Sequence, residues 1–254
     1  MPTLDEIYNQ EKRKTDAAVK KFNAESERVF KRVQSLAVAG LTGLTPDSIL
    51  EYDLKWREIL RDAGYYKMVN ELVDNDFNKL FKGTKEAFTA GGYDALFTED
   101  DANKIHAMKQ LHREEFIRLA ETTGIEIKTQ LFQYSIGDTP LPDITAGILA
   151  KLEDTGLERY AKTYALTAVK DYQQAVIDVM GKNVGDGVWV YVGVNDDVTR
   201  PYCKNILQDN KYYDESEMNK LKNDNRRDFN CRHRFYKMKR KEAEELGYKN
   251  SKNA

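Results

Sequence analysis

Two short segments near the C-terminus hold the residues whose types and spacing could do chemistry. Residues 195–203 end in Cys203, and residues 229–234 contain Cys231 and His233. Thiolate and imidazole are ligands that zinc prefers, but a structural zinc site normally has four ligands. The three side chains therefore predict a cluster that is incomplete as a zinc site, unless a carboxylate joins it.

Asp196 or Asp197 could supply that carboxylate, because both precede Cys203 in the same segment. Cys203 and Cys231 could instead form a contact of two thiols or a disulfide, or pack as small apolar groups. The sequence leaves these alternatives open. It predicts only that Cys203, Cys231 and His233 lie close together.

Elsewhere the chain shows no pattern typical of an enzyme. His106 and His112 are six residues apart, so on one helix they face different directions and cannot form an i, i+4 metal pair. Residues 181–187, GKNVGDG, lack the spacing of a phosphate-binding loop. We therefore predict no catalytic residues, no cofactor and no resident metal.

The charge is unevenly distributed along the 254 residues. The net charge is −2 overall, with +6 in residues 200–254 and −8 in residues 1–199. This asymmetry argues against a protein that coats nucleic acid over its whole surface, and it allows a local anionic partner near the C-terminus. Two cysteines, a polar start and the lack of a long apolar run predict a protein made in a reducing cytosol, without a signal peptide or membrane span.

The elements that must position these residues are mostly helical. Residues 4–36 contain no Gly or Pro and carry an apolar stripe that includes Phe22, Val29 and Val33, which predicts one long amphipathic helix with a face to dock. Further helices are expected at about 45–62, 68–81, 98–119 and 157–182, with Thr45 and Thr98 as N-caps. Residues 124–142 are ambiguous.

The pattern changes at residues 188–194, VWVYVGV, which are typical of a strand. A short helix around residues 215–222 and a basic segment follow. We predict a mainly α protein: an elongated helical body over residues 1–154, a small α+β domain over 155–236 and a basic tail over 237–254.

The C-terminal elements, taken in order, resemble a known domain. A long helix is followed by a strand with Trp189, then by D-x-x-T-R-P with Asp196 or Asp197 as its acidic residue, then by Cys203 and by N-C-R-H. This order is similar to the Mu F-like head morphogenesis domain of minor head proteins of tailed bacteriophages. The resemblance covers residues 155–235, and its motif residues here are Trp189, Asp196, Asp197, Thr199, Arg200, Cys203, Asn230, Cys231, Arg232 and His233.

The sequence departs from this family at two points. His233 stands where many relatives close with a second cysteine, and Arg227-Asp-Phe229 replaces a Pro-x-x-His element. Both departures weaken the case for a four-ligand metal site at Cys203, Cys231 and His233.

The resemblance implies a minor structural protein of a phage head. Such proteins associate with the portal vertex inside the procapsid and act in head assembly and in DNA packaging or ejection. It therefore implies the portal protein as partner, with packaged DNA and capsid or scaffold protein as further candidates, and a location in the head interior. Alternatives are a metal-dependent nuclease, a host-interaction or toxin-related protein with a delivery module, and another connector or scaffold component.

A run of basic side chains near the end of the chain suggests where DNA could bind. A run of this kind is often a solvated face, and Glu242, Glu244 and Glu245 could neutralise part of its charge. The candidate DNA contacts are Arg226, Arg227, Lys237, Lys239, Arg240 and Lys241.

Overall fold

The computed structural model describes residues 4–43, 45–90, 92, 97–137, 139–154, 156–182, 184–224 and 233–253. The protein is mainly helical, with a small four-stranded sheet and short helices near the C-terminus, which confirms the predicted fold class. The helices are α1 (Leu4–Ala39), α2 (Pro46–Leu50), α3 (Tyr52–Ala63), α4 (Tyr65–Asn70), α5 (Phe77–Ala90), α6 (Glu99–Ile136), α7 (Leu141–Asp154), α8 (Leu157–Gly181), α9 (Pro201–Asp209), α10 (Glu215–Asp224) and α11 (Arg240–Glu245).

A π-helical segment, Glu71–Asp76, joins α4 to α5. A 3-10 turn at Ser251–Asn253 follows the last strand. The strands are β1 (Gly187–Val192), β2 (Lys211–Tyr213), β3 (Arg234–Lys239) and β4 (Lys249–Asn250).

The chain divides into two compact units, and both are discontinuous in sequence. One, which we call the sheet unit, comprises the described residues within Met1–Asp16, Phe77–Met108 and Thr167–Ala254. The other, the helical unit, comprises the described residues within Ala17–Asp76 and Lys109–Leu166. The unit boundaries fall inside α1, α6 and α8 and at the start of α5, and none of them lies at the sequence-predicted position near residue 155.

The sheet has the order β3-β1-β2-β4. β1 is antiparallel to both β3 and β2, and β2 is parallel to β4. The predicted boundary between residues 236 and 237 falls inside β3, so the segment predicted as a basic tail completes β3 and supplies α11 and β4. Within this segment, the residues of β3 and β4 are held by pairing with β1 and β2.

Side chains alternate between the two faces of β1 and its neighbour β3, as strand geometry requires. One face, the valine face, carries Val188, Val190 and Val192 with Arg234 and Tyr236. The opposite face, the aromatic face, carries Trp189, Tyr191, Phe235 and Lys237. Tyr236 pairs with Val190, and Phe235 pairs with Tyr191. This register places Tyr236 on the valine face and Phe235 on the aromatic face.

Local signals explain where the helices begin and end. Thr45 caps α2 through a capping box with Ser48, and Thr98 caps α6, its hydroxyl accepting from the Asp101 amide at 3.2 Å. Both predicted N-caps are confirmed. The helix expected over 45–62 is instead two helices, separated at Glu51, and Gly64 ends the second in the left-handed conformation (φ 93°).

The helical unit has an aromatic core that buries the apolar stripe of α1. Phe22 packs against Phe116 with ring centroids 5.4 Å apart, and Phe30 lies edge-on to Tyr65. Buried polar ends find backbone partners: Trp56 Nε1 donates to the Ala120 carbonyl at 2.8 Å. The expected docking of the first helix is therefore met, for this part of its stripe, within the chain itself.

Candidate functional site

Thr199 organises the loop that connects β1 to α9. Its hydroxyl oxygen accepts from the Asp196 amide at 3.0 Å and lies 2.8 Å from the Val194 carbonyl oxygen and 2.9 Å from Asp196 Oδ1, which are both acceptors. The Thr199 amide donates to the Asp196 carbonyl at 3.0 Å, which closes the turn. Asp196 is therefore the aspartate that pairs with the threonine, whereas Asp197 is exposed.

The next two residues of the motif start a helix. Arg200 is the N-cap of α9 in an extended conformation, and Pro201 occupies the first helical position. Proline is favoured there because its fixed φ suits the helix and the missing N–H has no intrahelical partner anyway. The T-R-P tripeptide thus ends the loop and places Cys203 on the first turn of α9.

Cys203 and His233 both contact the side chain of Tyr191. Cys203 is buried, and the Tyr191 hydroxyl donates to its Sγ at 3.4 Å. The His233 imidazole stacks on Tyr191, with ring centroids 5.6 Å apart and 24° between the planes. The structure thus brings two of the three predicted cluster residues to Tyr191, a residue that the sequence analysis did not single out.

The His233 ring is fixed by backbone contacts as well. Nε2 lies 2.8 Å from the Val194 carbonyl oxygen, and since a carbonyl only accepts, Nε2 carries the proton of that bond. Nδ1 is therefore the ring nitrogen that could ligate a metal. A Cβ on Gly193 would lie 2.1 Å from His233 Cδ2, so only glycine allows this close approach.

The remaining part of the predicted cluster falls on residues that are not described. Asn230, Cys231 and Arg232 lie outside the described residues, as do the candidate DNA contacts Arg226 and Arg227. Among the residues that are described, no group of three or more His, Cys, Asp or Glu side chains could hold a metal ion.

Trp189 links β1 to α10 on the aromatic face. Its indole Nε1 donates to Glu215 Oε2 at 2.8 Å, and Lys237 pairs with the same carboxylate oxygen at 3.2 Å. The ammonium groups of Lys222 and Lys237 lie 5.2 and 5.4 Å from the indole centroid, within cation–π range. Burial raises the pKa of Glu215, but the hydrogen bonds from Trp189 and Lys237 outweigh it and hold the pKa below its ordinary value.

On the valine face a buried polar cluster joins α1 to β3. Glu11 and Arg234 are both almost completely buried, with Glu11 Oε2 3.8 Å from Arg234 Nη1, and the Tyr236 hydroxyl donates to Glu11. Arg234 also donates to Thr15 Oγ1 at 3.3 Å, and Thr15 donates to Gln173 of α8 at 2.6 Å. Burial raises the pKa of Glu11, and Arg234 opposes the shift.

This polar cluster, defined by Glu11, Thr15, Gln173, Arg234 and Tyr236, was missed by sequence reasoning. One signal was present: Glu11 lies four residues before Thr15, which belongs to the seven-residue stripe of the first helix. A glutamate at such a position faces the core and needs a buried partner.

The described candidate DNA contacts have different surroundings. Lys237 is held at Trp189 and Glu215, and Arg240 lies 3.4 Å from Asp186 and over the Tyr212 ring. Lys239 and Lys241 are exposed on and just after β3. Their exposure makes these two, among the described candidates, the better placed to reach a phosphate, and Lys241 also lies 3.8 Å from Glu245.

No family model, no curated protein and no solved structure matches the chain. Within the described residues, none of the helices is both long and apolar enough to cross a membrane.

Proposed function

We propose that the chain is a minor structural protein of a tailed-phage head, associated with the portal vertex and acting in head assembly and in DNA packaging or delivery. The support is the ordered set of motif residues in the C-terminal part of the chain, which resembles the Mu F-like head morphogenesis domain. The observation that carries the proposal is the Thr199 loop, in which the spaced residues of D-x-x-T-R-P make one local structure.

The arrangement favours a structural role for these residues. The Thr199 hydroxyl, the His233 imidazole and the Trp189 indole N–H each bond to groups of the sheet unit. Contacts of this kind fix loop geometry, and a fixed loop presents a constant surface to a partner. The proposed partner is the portal protein, and no enzymatic step is assigned.

The direct test is the composition of the particle. Heads purified from the phage that encodes the chain should contain it in low copy number by quantitative mass spectrometry, and it should co-purify with the portal protein. Deleting its gene should reduce infectious particles. Absence of the chain from purified heads would reject the proposal, and metal-dependent cleavage of DNA by the purified protein would favour the nuclease alternative.

Packaged DNA is the second proposed partner. Binding through Lys239 and Lys241 should be independent of sequence and should weaken steeply with salt, because each neutralised phosphate releases counterions. Replacing both lysines with serine should reduce the slope of log K against log salt by about 2. The full chain is required, since α1 supplies Glu11 to the valine face of the sheet.

A matched control distinguishes an effect of Lys239 and Lys241 themselves from the effect of lowering the net positive charge. Replacing Lys31 and Lys55, which are exposed lysines of the helical unit, removes the same charge elsewhere. Equal salt slopes for the two double variants, or no DNA binding at low salt, would remove DNA from the list of partners.

A further inference from the structure

Two ion pairs of opposite polarity lie side by side between α3 and α6 in the helical unit. Arg57 pairs with Glu121 at 2.9 Å, and Lys128 pairs with Asp53 at 2.6 Å. Because the earlier residue of α3 meets the later residue of α6, the two helices run antiparallel here. Along α3 the order is negative then positive, and the facing positions of α6 carry the opposite charges.

Exposed apolar side chains accompany these charges. Ile125 is 60% exposed and lies between Glu121 and Lys128 at helical spacing, so it shares their side of α6. Leu50 and Leu54 are 60% and 62% exposed on α2 and α3, and the Leu50 carbonyl accepts from Lys128 Nζ at 2.8 Å. We call the surface formed by Leu50, Leu54, Ile125 and the two ion pairs the α3/α6 patch.

The four charges of the α3/α6 patch are complementary to themselves. In a face-to-face dimer with its two-fold axis along the seam between α3 and α6, each Asp53 faces the Lys128 position of the other copy, and each Arg57 faces Glu121. With the axis across the seam, each Asp53 faces Arg57 and each Lys128 faces Glu121. Every charge meets an opposite charge in both arrangements, as an isologous contact requires.

We propose that the α3/α6 patch is a self-association surface whose partner is a second copy of this chain. The ion pairs give the contact its alignment, and Leu50, Leu54 and Ile125 supply the apolar area. Three side chains provide less than the roughly 800 Å² per partner of a standard interface, so the dimer is weak and forms at high protein concentration. Salt weakens it further, because most of the charged groups are partly exposed.

The test is sedimentation equilibrium of the full chain over a range of protein and salt concentrations. Wild type should show a monomer–dimer equilibrium whose dissociation constant rises with salt. Ile125→Asp should raise the dissociation constant at least tenfold, because it places a charge at the apolar centre. Val198→Asp is the matched control: Val198 is also a highly exposed aliphatic residue, in the sheet unit, and its replacement should leave the constant unchanged.

A charge exchange tests the pattern itself. Arg57→Glu alone should weaken association, since one charge of the alternation now meets a like charge in either arrangement. Exchanging all four charges, with Asp53→Lys, Arg57→Glu, Glu121→Arg and Lys128→Glu, restores the alternation and should restore dimerisation, with circular dichroism used to check folding. A monomer at all concentrations, or dimerisation that Ile125→Asp leaves intact, would overturn the proposal whatever the exchanged protein does.

Discussion

The buried Thr199 hydroxyl accepts a hydrogen bond from the Asp196 amide. It also lies within hydrogen-bond distance of two acceptors, the Val194 carbonyl oxygen and the Asp196 carboxylate. A residue with this many local partners fixes the loop between β1 and α9. The same loop carries Val194, whose carbonyl oxygen holds the His233 ring. One side chain therefore determines how the T-R-P element and His233 are placed together.

Replacing Thr199 tests this role at the level of a single hydroxyl. Thr199→Val keeps the shape and removes the hydroxyl, so a buried amide or carbonyl loses its partner, and we expect a loss of about 1–3 kcal/mol in the free energy of unfolding. Thr199→Ser keeps the hydroxyl and should cost less. Urea unfolding of both variants measures the difference, and equal losses would show that the hydroxyl bonds contribute little.

His112 provides a prediction about pH. It is buried in the helical unit, its Nδ1 lies 2.8 Å from the Tyr164 hydroxyl, and burial lowers its pKa to about 4. The unfolded chain has a histidine pKa near 6.5, so it binds the proton first as the pH falls. The stability that His112 contributes is thus complete above pH 6.5 and is lost as the pH falls towards 4.

The size of this effect is up to about 3 kcal/mol, from about 1.4 kcal/mol per pKa unit. The free energy of unfolding should therefore drop less between pH 7 and pH 4.5 in His112→Asn than in wild type. His106→Asn is the control, because His106 is exposed on the same helix. Identical pH profiles for wild type and His112→Asn would contradict the assignment.

At the scale of elements, Gly124 explains why α6 was hard to predict. A glycine followed by β-branched residues suggested an ambiguous region, yet α6 continues through it to Ile136. The reason is a close approach: a Cβ at position 124 would lie 2.2 Å from Trp56 Cδ1 of α3. The glycine is needed so that the indole can reach α6 and donate to the Ala120 carbonyl.

Gly124→Ala should therefore destabilise the protein although alanine favours helices. Displacing the buried Trp56 ring is expected to cost roughly 1–3 kcal/mol, which exceeds the gain of up to about 1 kcal/mol in helix propensity. Gly83→Ala in α5 is the matched control, because a Cβ there meets only the flexible end of Lys14. Thermal unfolding should rank Gly124→Ala below wild type and Gly83→Ala at or above it. The reverse order would refute this explanation.

At the scale of the whole molecule, the polar cluster connects residues that are far apart in sequence. Glu11 lies near the start of the chain, and Arg234 and Tyr236 lie near its end. The cluster attaches the first turns of α1 to the valine face of the sheet. The sheet unit is therefore assembled from both ends of the chain, and a fragment starting at residue 155 lacks part of its core.

Removing both members of the buried pair should cost less than the two single removals added together. Arg234→Met leaves the Glu11 carboxylate buried without its cation, and we expect a loss of about 3–5 kcal/mol. The double variant Glu11→Leu with Arg234→Met should lose less than the sum of the two single losses, because no uncompensated charge remains. Denaturant unfolding of the four proteins gives the coupling energy, and additive losses would indicate that the two groups do not interact.

Much of the local structure could be predicted from the sequence because its causes are local. Caps, apolar periodicity and the residues of β1 act over a few positions, and so Thr45, Thr98, the first helix and the strand with Trp189 were identified correctly. The fold class follows from the same signals. The resemblance to a head morphogenesis domain also depends on short motifs, and it remains a proposal.

The tertiary structure alone decided where Arg234 points and which segments form each unit. The position of Glu11 on the stripe of α1 indicates a core-facing carboxylate, but only the placement of β3 beside α1 shows that its partner is Arg234. Contacts between residues 11 and 234 depend on how the chain folds back on itself, and neither periodicity nor spacing along the sequence contains that information.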